Sequence, residues 1–365
     1  MIEIADERMC DFHINDFPNE ILGMIFDRLP FRDLRGASRV CARWRAVVTS
    51  LCSHRILLRV RATKVEQLNG FHNHKHIAVD FNNKLLKVNG DHVMRWMDWL
   101  KDVAPTLETL VINISVRLFP SLVELDFKNL KELHLEFSDS CRIKDSQQLN
   151  QFFRGLKRLK IVKIEAHRVT FTQLTRCIYS LNNIERLELS PNRSFRLQTD
   201  GFWNMTGLVE LNITGCGLFE CPPEDTISPL PSLRKLKLDK IKPQELSKLQ
   251  ILFRNVTNLK ICMPISGVCL HRIVTIWPTL EHLSVTVSGL YRIETDLRRL
   301  SELRWIKLRL VVLQRYCQRS SYRVLDSLLC NQSLERLYLT GKGEFSIPDR
   351  NPRCQLFLNG QFMPR

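Results

Sequence analysis

Six cations and two aromatic residues stand at alternate positions of four short segments. Lys235 and Lys237 lie in SLRKLKL (232–238), Lys260 in NVTNLKI (255–261), Trp305, Lys307 and Arg309 in ELRWIKLRL (302–310), and Arg336 and Tyr338 in SLERLYL (333–339). The chemistry such a set supports is non-covalent. Arginine pairs bidentately with carboxylate or phosphate, lysine supplies a point charge and the rings supply packing, so an acidic or phosphorylated segment would be the ligand. A solvated face with no ligand is the competing reading. Other reactive types do not assemble into a site. His72, His74 and His76 in HNHKH alternate as metal ligands or pH sensors would, but no carboxylate or cysteine completes a set, and the stretch reads as a polar strand. GKGEF (341–345) lacks the spacing of a phosphate loop. The 12 cysteines include no CxxC pair, and no Ser/His/Asp or Cys/His set is placed. No catalytic residue, metal or cofactor is expected.

The elements that would position the cations come from a repeat. TLETLVI (106–112), NLKELHL (129–135), GLKRLKI (155–161), NIERLEL (183–189), GLVELNI (207–213), SLRKLKL, NVTNLKI, TLEHLSV (279–285), ELRWIKL and SLERLYL all read apolar-x-x-apolar-x-apolar. First apolar positions fall at 107, 130, 156, 184, 208, 233, 256, 280, 303 and 334, in steps of 23 to 31. In an extended segment residues two apart share a face, so each copy predicts a short strand with its fourth and sixth positions inward. The outward residues are then Glu132, His134 and Glu136, Arg158 and Lys160, Arg186 and Glu188, Glu210 and Asn212, His282, and the eight named above. Helical spacing returns between strands in DSQQLNQFFRGL, TQLTRCIYSL, PQELSKLQILFRNV and VCLHRIVTIW, with Pro243 and Glu245 as a first turn. HKHIAVDFNN predicts an early strand, and DHVMRWMDWLKDVAP a helix with Val93, Met94, Met97 and Leu100 on one face. SLVELDF (121–127) mimics the motif but belongs to a return segment. One such unit cannot bury its apolar face, whereas stacked units bury a continuous one. The array resembles the leucine-rich repeat. In GLVELNITGCGL, Cys216 and Leu218 continue the fuller motif, which implies that Cys216 bonds turn backbone inside the core.

Residues 17–48, FPNEILGMIFDRLPFRDLRGASRVCARWRAVV, follow different rules. Pro18 suits a first helical turn, Asn15 or Asp16 the cap, and Ile21, Leu22, Ile25, Phe26 and Leu29 form an apolar stripe that Pro30 ends. Asp33 would cap a second helix carrying Leu34, Ala37, Val40 and Cys41, and Trp44, Val47 and Val48 continue in a third. Three helices in so few residues leave apolar surface over for another body. The segment resembles an F-box, whose pattern is roughly L-P-x-E-I-L-x-x-I-F-x-x-L, then D-L, then V-C-x-x-W. Pro18, Glu20, Ile21, Leu22, Ile25, Phe26, Leu29, Asp33, Leu34, Val40, Cys41 and Trp44 match in order, while Phe17 replaces the usual leucine and Gly23 interrupts the helix. The resemblance implies that the segment docks a Skp-type adaptor leading to a cullin-RING ubiquitin ligase, while the repeats hold a protein substrate. Pro18, Leu22 and Leu34 would then be adaptor contacts, with Ile21, Ile25, Phe26, Leu29, Val40, Cys41 and Trp44 divided between contact and core.

Composition is that of an ordinary globular chain: 365 residues, 44% hydrophobic and 25% charged. The net charge of +16 is uneven, with −1 in residues 1–50 and +17 beyond. That excess keeps a second reading open, a basic repeat scaffold binding nucleic acid or an anionic surface outside ubiquitin ligation, although neither motif favours nucleic acid. The acidic start MIEIADERMC and the absence of an apolar run of about 18 residues predict no membrane insertion and a place in the cytosol or nucleus. The expected fold is therefore α/β: a short all-helical F-box (12–55), a linking, degenerate first repeat (56–106), a curved leucine-rich-repeat solenoid (107–345) with parallel concave strands and convex helices, and a C-terminal cap or tail (346–365).

Overall fold

The computed structural model describes residues 13–61, 74–80, 90–115, 119–137, 146–166, 168–179, 181–191, 195–198, 204–220, 229–239, 241, 244, 246–288, 297–311, 331–340 and 353–363. Two compact units share the chain: Met1–Ile112 with Leu125–Leu130, and Asn113–Glu124 with Lys131–Arg365. His72, Pro243, Glu245 and the GKGEF stretch lie outside the described residues.

In the first unit a single turn of 3-10 helix (Ile14–Asp16) leads into α1 (Asn19–Arg28), α2 (Phe31–Ala37) and α3 (Ala42–Leu51). Two prolines set the helix starts from the cap position, Pro18 before α1 and Pro30 before α2. Asp33, expected as a cap, stands inside the first turn of α2, where its charge suits the helix dipole. Asn15 and Asp16 belong to the preceding turn, which His13 caps. The sulfur of Cys41 accepts the Trp44 amide at 3.4 Å and caps α3. Leu22, Phe26, Leu34, Ala37, Val47, Val48 and Cys52 form the core, flanked by Phe17, Leu29, Trp44 and Ile56. Two arginines fasten the ends of α1. Arg43 donates to Asn19 Oδ1 at 2.9 Å and to the carbonyls of Asn15 and Phe17, while Arg55 donates to the carbonyls of Asp27 and Leu29. The second of these neutralises the negative end of the helix.

Beyond the helices, β1 (Leu57–Arg61) pairs in parallel with β2 (His76–Asp80), the early strand that the sequence predicts. The α4 helix (Gly90–Val103) follows, then β3 (Thr109–Ile114). On α4 the buried side is broader than expected and rotated: Trp96, Met97, Trp99, Leu100 and Val103 are buried, whereas Met94 is exposed.

The second unit opens with α5 (Phe119–Val123), which confirms the SLVELDF stretch as a return segment. It continues through β4 (Glu132–Phe137), α6 (Ser146–Gly155), β5 (Ile161–Ala166), α7 (Arg168–Ile178) and β6 (Arg186–Pro191). Next come β7 (Phe195–Gln198), β8 (Glu210–Ile213), β9 (Cys216–Glu220), β10 (Lys235–Leu238), α8 (Leu246–Leu252), β11 (Asn258–Ile265) and α9 (Gly267–Ile276). The unit closes with β12 (His282–Ser288), β13 (Trp305–Val311), β14 (Arg336–Thr340), β15 (Gln355–Leu358) and β16 (Gln361–Met363). Within it β4, β5, β6, β8 and β10–β15 lie side by side in chain order and pair in parallel, and β16 folds back antiparallel. Inward and outward residues alternate as predicted.

At each junction from β4 to β14 one carbonyl accepts two consecutive amides from the next repeat. Lys131 O takes Lys160 and Ile161, Lys160 O takes Glu185 and Arg186, and the series runs through Glu185, Val209, Arg234, Thr257 and Glu281 to Arg304, at 2.8–3.0 Å throughout. Asparagine side chains add a second tie. Asn183 and Asn255 each donate to a carbonyl of the preceding repeat, Lys157 and Pro231, at 3.1 and 3.0 Å.

Three details depart from the sequence reading. In the copy at 155–161 the frame moves by three residues: Leu159, Val162 and Ile164 are the inward set, and Val162 aligns with Leu133 and Leu187. Ile161, Lys163 and Glu165 therefore face outward, while Arg158 sits in the turn and Lys160 just before the strand. Cys216 opens β9, whose backbone pairs in parallel with β7 apart from the main sheet, and its side chain lies outside the described residues. Finally, β15 and β16 form a hairpin through Asn359 and Gly360, whose φ angles of 49° and 86° suit a tight primed turn.

Gly23 sits on the side of α1 that faces Leu51 of α3. A Cβ there would lie 2.7 Å from Leu51 Cδ1 and 3.1 Å from Leu51 Cβ. Alanine would gain about 1 kcal/mol of helix propensity but overpack the contact at a cost of roughly 1–3 kcal/mol. Gly23→Ala should therefore lower the thermal midpoint of the full chain, and adding Leu51→Ala should recover some of the loss; a raised midpoint would refute the packing account.

Candidate functional site

Among the described residues, each unit presents a surface of distinct chemistry. On the helix trio, α1 is apolar on two sides. Leu22 and Phe26 point inward with Leu29, and Phe26 meets Trp44 at 4.8 Å between ring centroids. Ile21, Met24 and Ile25, one turn apart on the other side, are 38%, 67% and 36% exposed, and Val40 after α2 is 63% exposed. The F-box pattern puts Leu22 and Leu34 among the contacts; both are fully buried, because the three helices close over them. Phe26 is core as well, Leu29 and Trp44 pack partly buried against it, Cys41 is half-buried at its cap position, and Pro18 is exposed. Met24 is absent from the sequence-derived set, although its i+3 spacing from Ile21 marks the same stripe.

On the second unit the outward residues of β8 and β10–β14 line an open groove of about 800 Å³. Lys235, Lys237, Lys260, Trp305, Lys307, Arg309 and Arg336 all border it, joined by Asn258, His282, Ser284 and Thr286. Tyr338 lies beside it, its ring 5.5 Å from that of Trp305. The strands explain the convergence: parallel neighbours in register bring outward residues of successive repeats within one strand spacing, about 4.8 Å. Lys237 stands directly opposite Lys260, and Trp305 directly opposite Arg336. In β11 Cys262 continues the outward alternation of Lys260 to the groove wall, and the register slip between Lys260 and Pro264 leaves Met263 exposed as well.

Electrostatics divides this outward face. Toward β4–β8 the charges are compensated: Lys163 meets Glu165 at 2.9 Å and Glu188 at 3.6 Å, and Arg186 meets Glu210 at 3.0 Å. His134 stands 3.6 Å from Glu165, beyond hydrogen-bond length, and its Nε2 is buried without a hydrogen bond. From β10 onward, among the described residues, no carboxylate lies within ion-pair distance of the six cations. Glu210, the carboxylate in the lining, is already held by Arg186.

Comparison with known proteins bears on the first surface. Residues 14–56 match the F-box domain family, so the helix trio is an F-box domain. The chain thus carries an F-box domain followed by a run of parallel strands with leucine-rich-repeat-like spacing. No curated protein matches the sequence. Among solved structures the chain is similar to one from the crystal structure of the Rad7 and Elc1 complex in yeast, with 14% identity over 93% of this chain and 92% of that one and a TM-score of 0.40. It is also similar to the TLR13–ssRNA13 complex, with 18% identity over 84% of this chain and 47% of that one and a TM-score of 0.44.

The compensated half of the face makes a prediction of its own. Burial, reinforced by Lys163, holds the His134 imidazole below its ordinary pKa, against the opposing pull of Glu165 and Glu188. A depressed histidine is protonated more readily in the unfolded chain, so its contribution is complete above its ordinary value of about 6.5 and is lost as pH falls below it. His134→Gln should lose less thermal stability between pH 7 and pH 5 than the parent chain; an equal loss in both would remove His134 from the account.

Proposed function

We propose that this chain is the substrate-recognition subunit of a cullin-RING ubiquitin ligase of the Skp-cullin-F-box type: its F-box docks a Skp-type adaptor and its repeat groove receives a protein substrate. The observation that carries the reading is the exposed stripe Ile21–Met24–Ile25 with Val40, on a domain that matches the F-box family. Large apolar residues clustered on a small helical domain whose core is already complete are available for a partner, and desolvating them supplies about 25 cal/mol per Å². The repeats support the second half through the groove with its six cations, which suits an acidic or phosphorylated substrate segment. The role needs no chemistry from the chain itself. Holding a substrate lysine beside a charged conjugating enzyme raises effective concentration, and the bond is made elsewhere in the assembly. An assembly of this kind works in the cytosol or nucleus, and that is the location the proposal carries with it.

Affinity capture of the full chain tests the reading. The parent should recover a Skp-type adaptor and a cullin. Ile21→Asp/Ile25→Asp changes exposed residues only, and should lose both at an unchanged thermal midpoint. Joint charge reversal of Lys237, Lys260 and Lys307 should keep the adaptor and lose the substrate. An adaptor recovered equally by parent and Ile21→Asp/Ile25→Asp, or by neither, would refute the proposal. Binding that falls steeply with salt and extends to unrelated nucleic acids would favour a basic scaffold instead.

A further inference from the structure

The cationic groove continues into a surface that the charge pattern does not announce. Strand register places Lys237, Lys260, Ser284, Lys307, Tyr338 and Phe357 in one row across β10–β15, each directly opposite the next. One end of the row is charged and the other is aromatic. Tyr338 and Phe357 stack at 4.4 Å with their planes 8° apart, and Phe362 on β16, 55% exposed, meets Phe357 at 5.5 Å. Trp305 joins the charged end to the aromatic one through Tyr338.

Both ends lack something. Lysines directly opposite on neighbouring strands repel, and among the described residues neither Lys237 nor Lys260 has a carboxylate at ion-pair distance. At the other end Phe362 keeps a large apolar ring in water. We propose, on the reading that this face receives the substrate, that the row binds a bipartite peptide segment: an anionic cluster over Lys237, Lys260 and Lys307, and a large apolar or aromatic side chain against Tyr338, Phe357 and Phe362. From the middle of the lysine pair to the middle of the ring pair is four strand spacings, about 19 Å, which an extended peptide covers in about six residues.

Segregation of the two chemistries favours a peptide over a single-stranded nucleic acid. An oligonucleotide carries a phosphate at every step and would set charge over the apolar end. It also binds through free ring faces on which bases stack, whereas Tyr338 and Phe357 each cover one face of the other, and the tilted rings of Trp305 and Phe362 neighbour the pair at its two ends. A peptide can place its charge and its ring separately.

The test is a peptide series against the full chain, read by fluorescence anisotropy. One peptide carries a phosphoserine cluster and a tyrosine about six residues away, a span set by the extended rise. A second replaces phosphoserine with glutamate, others lack the cluster, lack the tyrosine, or shorten the spacing to two residues, and an oligonucleotide of equal charge completes the set. At least one bipartite peptide should bind about tenfold tighter than the versions that lack either feature or have the short spacing, a difference of about 1.4 kcal/mol, with the phosphoserine and glutamate arms identifying the anion. Tyr338→Ser/Phe357→Ser should bring the bipartite peptide down to the affinity of its tyrosine-free version, and Lys237→Glu/Lys260→Glu should weaken both. If the tyrosine-free peptide binds as tightly as the bipartite peptide and the lysine reversals abolish both, the groove receives anions but the bipartite inference fails alone. Tighter binding of the oligonucleotide, or no binding by any peptide, overturns the inference together with the substrate-receiving reading of the groove, while adaptor capture is scored independently.

Discussion

The repeat face from β4 to β14 depends on one backbone device: a single carbonyl at the head of a strand that accepts two successive amides from the next repeat. The bonds from Lys131 O to Lys160 and Ile161, and their counterparts up to Arg304 O, hold register at 2.8–3.0 Å regardless of what lies between strands. Such bonds matter because a slip of one residue would send every inward leucine to solvent. They also explain why spacings of 23 to 31 residues are tolerated. Extra chain emerges in the return segments, while the strand heads stay in step. The asparagine ties from Asn183 and Asn255 reinforce the same junctions by donating to turn carbonyls of the preceding repeat.

Once register is held, outward chemistry follows from side-chain identity alone. On β4–β8 acids and bases alternate between neighbouring strands, and pairs such as Lys163 with Glu165 and Glu188 discharge the face internally. On β10–β14 the same outward positions hold lysine and arginine with serine, threonine and asparagine between them, and the acid that borders the groove, Glu210, is turned to Arg186. One strand geometry thus yields two electrostatic characters, a closed network and an open cationic groove. Mutual repulsion in the second makes an incoming anion worth more there than at a single lysine.

Much of this is legible in the sequence, for identifiable reasons. Alternation with a recurring leucine motif is a strong signal, so the strands, the groove cations and the return helices can be located from residue type and spacing. The copy at 155–161 misleads because LKRLKIVKI satisfies the motif in two frames, and packing against Leu133 and Leu187 chooses Leu159 over Leu156 as its first position. The motif marks Leu22 and Leu34 as recurring residues and does not tell which way a helix is turned. With apolar residues on both sides of α1, only contact with α2 and α3 decides which side is inside. The aromatic end escapes the sequence because Phe357 and Phe362 lie outside the motif, although Asn359–Gly360 between alternating residues is a hairpin signal.

The apolar stripe and the cationic groove differ in the force each can offer, and this gives each its own physical control. The F-box stripe is apolar, carried on a domain whose small core is completed by staples: Arg43 and Arg55 tie both ends of α1, and Gly23 admits α3 at close range. Because those ties secure the trio internally, Ile21, Met24 and Ile25 are not needed inside and remain available to a partner. Burial of such residues is almost indifferent to ionic strength. The groove behaves oppositely, since its attraction at Lys237, Lys260 and Lys307 is Coulombic and screened over roughly 8 Å at physiological salt. Its aromatic end, beginning at Tyr338, restores to that face a component that salt does not screen, so a ligand using both ends keeps some of its affinity where a purely anionic ligand loses it.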